Sequence, residues 1–172
     1  MPRLRSDDGA VPVPRQGSEK IIVACDVSSL MHACRRHIGP GAKLDFEHLA
    51  NLVPDPVWRR AYLVTHHRKQ HLPFYAALRG YGFDVFERFQ VSTGRDRTFI
   101  DWGIGISLDV VRHLPAFDRF VLITGDSDFS QLFHHLSLEG KRTTAYTFES
   151  SVTQYLFRGA DEVQFLGPEA LM

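Results

Sequence analysis

The chain is poor in the features that usually assign a protein at sight. Its 172 residues include only two cysteines, Cys25 and Cys34. Both fall in expected core elements and lack metal-ligand spacing, which excludes a disulfide framework and reads as reduced packing residues. No apolar run approaches the ~20 residues needed to span a bilayer. The charged start Met1-Pro2-Arg3-Leu4-Arg5 is followed by no apolar signal core, so the expected location is cytoplasmic. Formal net charge is zero, and no global field draws the chain to nucleic acid or membrane. Local basic patches remain compatible with that balance. Internal repeats are absent.

What is present is a full core in alternating elements. Residues 1–18 hold Pro2, Pro12, Pro14, Gly9 and Gly17 without periodicity and read as a flexible tail, leaving a single domain over 19–172. Ile21 to Cys25 and Phe120 to Ile123 are short continuous apolar runs, the pattern of strands buried on both faces. Ala61 to Val64, Phe83 to Phe89, Arg142 to Phe148 and a short Glu162 to Leu166 segment supply further strands. Between them lie helical patterns. Ser28 or Ser29 caps a helix through about His37 with Leu30, Ala33 and Cys34 inward. A short helix covers Asp45 to Leu52. Leu72, Tyr75 and Leu78 mark one over Lys69 to Arg79. Ile100, Ile104, Leu108 and Val111 form the stripe of a fourth. Phe129, Leu132, Phe133 and Leu136 face inward on a fifth, with Gly140 just past its end, and Ser151 to Phe157 makes a last. Strands alternating with helices predict a three-layer α/β/α sandwich on a mainly parallel, Rossmann-like sheet. About five parallel strands in the order 3-2-1-4-5 are expected.

The chemistry sits at strand ends. Thr124-Gly125 stops the Phe120 run, and Asp126 and Asp128 follow at once. Asp26 ends the Ile21 run in the same way, and the two strands are natural neighbours at the switch point, where open sheets bind ligands. Asp109 borders the apolar stripe of the preceding helix and is placed to face the sheet's upper edge. Gathered acidic groups repel, and a hard divalent ion resolves that conflict. Each member also has a plain structural role. Asp26, Asp126 or Ser127 is a good helix cap, and Asp109 a good solvated helix residue. Other phosphate chemistries lack their marks. There is no G-x-x-x-x-G-K-[ST] loop, and Gly103 with Gly105 makes a bare G-x-G. Ser28 occupies the position where a haloacid-dehalogenase-like phosphatase carries a second Asp.

Val121-Leu122-Ile123-Thr124-Gly125-Asp126-Ser127-Asp128-Phe129 resembles the strongest motif of the NYN domain family, the LabA-like branch of the PIN-like nucleases. Leu136 with Gly140-Lys141, Asp26, and Leu78, Gly80 and Gly82 to Val85 fit the family's supporting segments. The resemblance spans roughly Lys20 to Phe148. It implies a PIN-like α/β/α fold, an Mg²⁺ or Mn²⁺ site, and ribonuclease activity, often on structured or transfer RNA. Asp101 to Asp109 is similar to the family's Asp-Trp-Asp-Val-Gly-Ile-Ala-Leu-Asp stretch. Two departures stand out. Ser29 replaces a usual Asn, and Gly103 stands where the family has its second Asp. Asp101 survives two residues earlier. On one helix it would lie ~12 Å from Asp109, too far to share an ion, so it reads better as an N-cap.

The expected activity is therefore metal-dependent hydrolysis of RNA phosphodiester bonds, with Asp26, Asp109, Asp126 and Asp128 holding one or two Mg²⁺ or Mn²⁺ ions. Thr124 and Ser29 would orient that set. The alternative is a weakened or inactive RNA-binding module, through Gly103. A small-molecule phosphohydrolase using the same carboxylates is a third option. Phosphate contacts are expected from Arg68 and Lys69, which follow a strand end, and from Arg95 and Arg97 in a polar loop. Trp102 reads first as a packing residue and second as a base-stacking one. The residues leave homo-oligomerisation open.

Overall fold

A computed structural model describes residues 18–65, 68–89, 102–151 and 158–172. Six strands form one sheet: β1 (Ile21–Asp26), β2 (Trp58–Thr65), β3 (Asp84–Phe89), β4 (Arg119–Ile123), β5 (Arg142–Thr147) and β6 (Glu162–Phe165). Their order is β3-β2-β1-β4-β5-β6, and every neighbouring pair is parallel. The expected order is thus present and is extended by β6 at one edge.

The two central strands carry apolar side chains in both directions, and successive residues point to opposite faces. Val23, Cys25, Val121 and Ile123 enter one core with helices α1 (Val27–His37), α2 (Phe46–Asn51) and α3 (Arg68–Gly80). Ile22, Ala24, Phe120 and Leu122 enter the other, beneath α4 (Gly103–Arg112) and α5 (Ser130–Leu138). Three layers result, a PIN-like α/β/α sandwich. Core burial explains the continuous apolar runs, since a strand covered on both faces has no polar side to show.

Several local expectations are corrected. Helix α1 begins at Val27, and its N-cap is Asp26 rather than Ser28 or Ser29. Strand β2 starts earlier than its apolar stretch, because Trp58, Arg59 and Arg60 already pair with β1. On α3, Tyr75 and Leu78 are buried but Leu72 is exposed. The largest change concerns α4. Its inner face is Ile106 and Val110, while Ile104, Leu108 and Val111 are 74%, 60% and 37% exposed. The stripe that looked like a core face points away from the sheet. The expected N-terminal tail through residue 17, the Gln90–Thr98 loop, Asp101 and the Ser151 to Phe157 helix beyond Ser151 lie outside the described residues.

Candidate functional site

The carboxyl ends of β1 and β4 are stitched together by two hydroxyls. Ser29, on the first turn of α1, shares a 3.0 Å hydrogen bond with the Thr124 hydroxyl just past β4. The Ser29 hydroxyl also lies 3.2 Å from the Asp26 carbonyl, and it accepts from the Gly125 backbone N–H at 3.1 Å. Thr124 Oγ1 accepts in turn from the Asp126 backbone N–H at 3.0 Å. Ser29 thus both donates and accepts at this junction, as a hydroxyl can.

Gly125 makes this contact sterically feasible. A Cβ there would lie 2.5 Å from the Ser29 carbonyl oxygen and 2.6 Å from Ala33 Cβ. The loop therefore presses directly on α1, and glycine is the residue that permits it. The close approach at Gly125 is to the neighbouring helix.

Three of the four expected carboxylates lie along this edge. Asp26 is 3% exposed, and its Oδ1 accepts from the Ser29 N–H at 3.3 Å as the α1 cap. Asp126 is half-buried and Asp128 exposed, and Asp126 Oδ1 accepts from the Asp128 N–H at 3.1 Å. Asp126 and Asp128 form one wall of a groove of about 370 Å³. Its other wall is α4, through Gly103, Ile104, Ser107, Leu108 and Val111, with Phe129 between. Gly103 therefore stands across the groove from the acidic pair, and it brings no carboxylate there.

Asp109 is drawn elsewhere. Arg60 on β2 donates to its Oδ2 at 2.7 Å, and the Tyr62 hydroxyl donates to the same oxygen. His113 Nδ1 approaches Oδ1 at 3.7 Å. The Arg60 guanidinium is itself packed 4.3 Å from the Trp58 ring and 5.4 Å from the Phe86 ring. Burial and the hydrogen bond to Asp109 push the Tyr62 phenol well above its usual range. This partly buried ion pair satisfies the Asp109 charge inside the protein. Arg60 and Tyr62 carry no motif that marks them. The one signal is strand alternation, which places Trp58, Arg60 and Tyr62 on a single face of β2.

Trp102 is a packing residue. Its indole N–H donates to the Leu63 carbonyl at 2.8 Å, its ring meets Tyr62 edge-on at 5.2 Å, and the Arg88 guanidinium lies 4.1 Å over it. Arg68 and Lys69 open α3 directly after β2, on the carboxyl-end side of the sheet. Arg95, Arg97 and Asp101 lie outside the described residues.

The donors along the edge are all oxygens, the ligand type that Mg²⁺ and Mn²⁺ prefer. Among the described residues, no three His, Cys, Asp or Glu side chains converge closely enough to hold one ion as they stand. The donor chemistry fits a hard divalent cation at Asp126 and Asp128, with Asp26 on the adjoining strand, and Asp109 is held apart from that group.

No curated protein matches the chain. Among solved structures, a Vibrio parahaemolyticus protein of unknown function is similar, with a TM-score of 0.80 and 26% identity. That likeness covers 90% of this chain and 96% of the other. The NYN domain model matches residues 20–167, which include β1 and its terminal Asp26, the Ser29–Thr124 stitch and the Asp126–Asp128 wall of the groove, and the chain belongs to the NYN domain family.

Proposed function

We propose that the chain is a divalent-metal-dependent ribonuclease acting at the groove between α4 and the Asp126–Asp128 loop. The observation that carries this reading is the tie between two strand ends. Ser29 and Thr124 lock the loop bearing Asp126 and Asp128 against the strand that ends in Asp26. Asp126, Asp128 and Asp26 would hold Mg²⁺ or Mn²⁺, which when bound lowers the pKa of water and stabilises charge on a phosphodiester. The chain's own work is positional. Thr124 fixes the Asp126 backbone, Asp26 keeps one oxygen tied to the Ser29 N–H, and Gly125 keeps the loop seated. Asp109 is paired with Arg60 and Tyr62 away from the groove lining. Arg68, Lys69, Arg95 and Arg97 would position phosphates. The substrate would be structured or transfer RNA, met in the cytoplasm.

A second reading has its own support. With Gly103 across from the acidic pair and Asp109 neutralised, the groove is poorer in free carboxylate than the family pattern, which favours an RNA-binding module with weak turnover. One experiment separates the two. Wild type, Asp126→Asn and Gly103→Asp are assayed for RNA cleavage with Mn²⁺. The nuclease reading expects cleavage by wild type and loss of at least about 100-fold in Asp126→Asn. Equal cleavage by both removes the site assignment. RNA binding without cleavage by wild type, with cleavage appearing in Gly103→Asp, establishes the module.

A further inference from the structure

A second cavity, of about 530 Å³, lies between α1, α2 and α3, on the sheet face opposite α4. It shares no lining residue with the groove. Its volume falls in the ~300–1,000 Å³ range of small-ligand sites. Met31, Cys34, Leu44, Phe46, Phe74 and Leu78 give it an apolar interior, in which Phe46 and Phe74 meet edge-on at 5.3 Å. One wall is fixed by the end of the chain. The Asp45 N–H donates to the Ala170 carbonyl at 2.9 Å, and the Met172 N–H donates to the Lys43 carbonyl at 3.0 Å. A wall held in place before binding loses little affinity to ordering. The lining also carries four charged side chains. Arg35 comes from the last turn of α1 and Lys43 from the segment before α2. Asp45 caps α2, and Glu47 stands in its first turn. Among these four there is no ion pair. Opposite charges that border one apolar cavity without closing on each other leave both signs free for an occupant.

The geometry points to a binding site for a small zwitterion with an apolar body, an apolar amino acid or dipeptide. Arg35 and Lys43 take its carboxylate, Glu47 and Asp45 take its ammonium, and the apolar interior takes its side chains. Each part of the lining then has a use. A nucleic acid strand is a poor match, because two acids border the cavity and its interior offers nothing to phosphates. A simple hydrocarbon leaves all four charges unused. Asp45 already accepts from the His48 N–H at 2.9 Å through Oδ1, so Glu47 is the main partner of the ammonium. The inference does not depend on the ribonuclease reading, since the two sites share no residue and lie on opposite faces of the sheet.

The test is isothermal titration calorimetry of the full chain at low ionic strength, where exposed charges are least screened. The probes are leucyl-phenylalanine, its N-acetyl form, its C-terminal amide, and free phenylalanine. One zwitterionic probe is expected to bind once per chain, and removing either of its charges is expected to weaken binding by about tenfold. Tighter binding of the dipeptide assigns a peptide-sized occupant, and tighter binding of phenylalanine assigns a single amino acid. The double variant Arg35→Gln, Lys43→Gln should bind the dipeptide and its amide equally, whereas Glu47→Gln should bind the dipeptide and its N-acetyl form equally. All three substituted side chains are exposed, so these variants keep the fold, and thermal unfolding without ligand checks that. Ala77→Trp, from an exposed position on the α3 wall, should abolish binding by filling the cavity. No saturable binding of either zwitterion up to about 1 mM overturns the inference. So does equal binding of the charged and blocked probes by wild type, or full affinity in Ala77→Trp, which would put the ligand elsewhere. If Ala77→Trp converts a dimer to a monomer and no probe binds wild type, the cavity belongs to a surface between copies and the inference is likewise overturned.

Discussion

At the residue scale, the candidate site depends on a glycine with no chemistry of its own. Gly125 sits where a methyl group would meet the Ser29 carbonyl oxygen at 2.5 Å and Ala33 Cβ at 2.6 Å. Both obstacles belong to a helix packed on the core and cannot move far. Gly125→Ala is expected to destabilise the fold by about 1–3 kcal/mol, the usual cost of overpacking, in urea unfolding. It is also expected to weaken Mn²⁺ binding, since Asp126 is the next residue. Unchanged stability would mean that the loop does not press on α1. The Arg60–Asp109 pair makes the opposite kind of demand. Side-chain exposures of 16% and 22% leave little water to replace a lost partner. Arg60→Met should cost about 2–3 kcal/mol by stranding the Asp109 charge. Adding Asp109→Asn should recover part of it, and the double-mutant cycle measures that coupling. Simple additivity would mean that the pair carries no coupling.

At the element scale, legibility in the sequence followed periodicity. The runs Ile21 to Cys25 and Phe120 to Ile123 were readable because a strand buried on both faces has one signature and little competition. Helix α5 was readable because a single apolar stripe, Phe129, Leu132, Phe133 and Leu136, matches its buried face. Helix α4 defeats the same method because it has two stripes. Period alone cannot say which of Ile106–Val110 and Ile104–Leu108–Val111 faces the sheet. The start of the helix supplies the physical reason for the outcome. Gly105 lies against Trp102, where a Cβ would fall 2.6 Å from the indole ring, and the indole is bonded to Leu63 on β2. Rotating α4 to bury the other stripe would break that seat. Gly105→Ala should therefore shift the tryptophan environment, read as a change in near-UV circular dichroism, with a stability loss of about 1–3 kcal/mol. The Asp126–Asp128 wall was readable from a motif. The diversion of Asp109 was not, because Arg60 and Tyr62 reach it from β2, 49 and 47 residues away.

At the scale of the whole molecule, folding fixes the protonation of buried groups. Burial pushes the Cys25 thiol up, and burial with the Asp109 contact does the same for the Tyr62 phenol. The native state therefore keeps both protons at pH values where the unfolded chain gives them up. Their share of the stability is complete below the unfolded values, near 9 and 10, and is lost as pH rises through and beyond them. Each group contributes a slope of ~1.4 kcal/mol per pH unit there. Urea unfolding at pH 7.5, 9.5 and 10.5 should show the fall, and Tyr62→Phe should make it shallower by one proton. Stability that stays level to pH 10.5 would contradict this.

The sheet order also has a consequence for synthesis. Strand β1 is made first but stands in the middle, and its partner β4 begins 98 residues later, where Ile21 pairs with Arg119. At ~5–20 residues per second, a ribosome needs roughly 5–20 s to supply that partner. During this interval one edge of an apolar strand waits uncovered. The Ser29–Thr124 stitch joins residues 95 apart, so it closes only after β4 and Thr124 have emerged. The candidate site thus cannot assemble on a nascent chain before β4 is made, and a product truncated before β4 would carry Asp26 without Asp126 and Asp128.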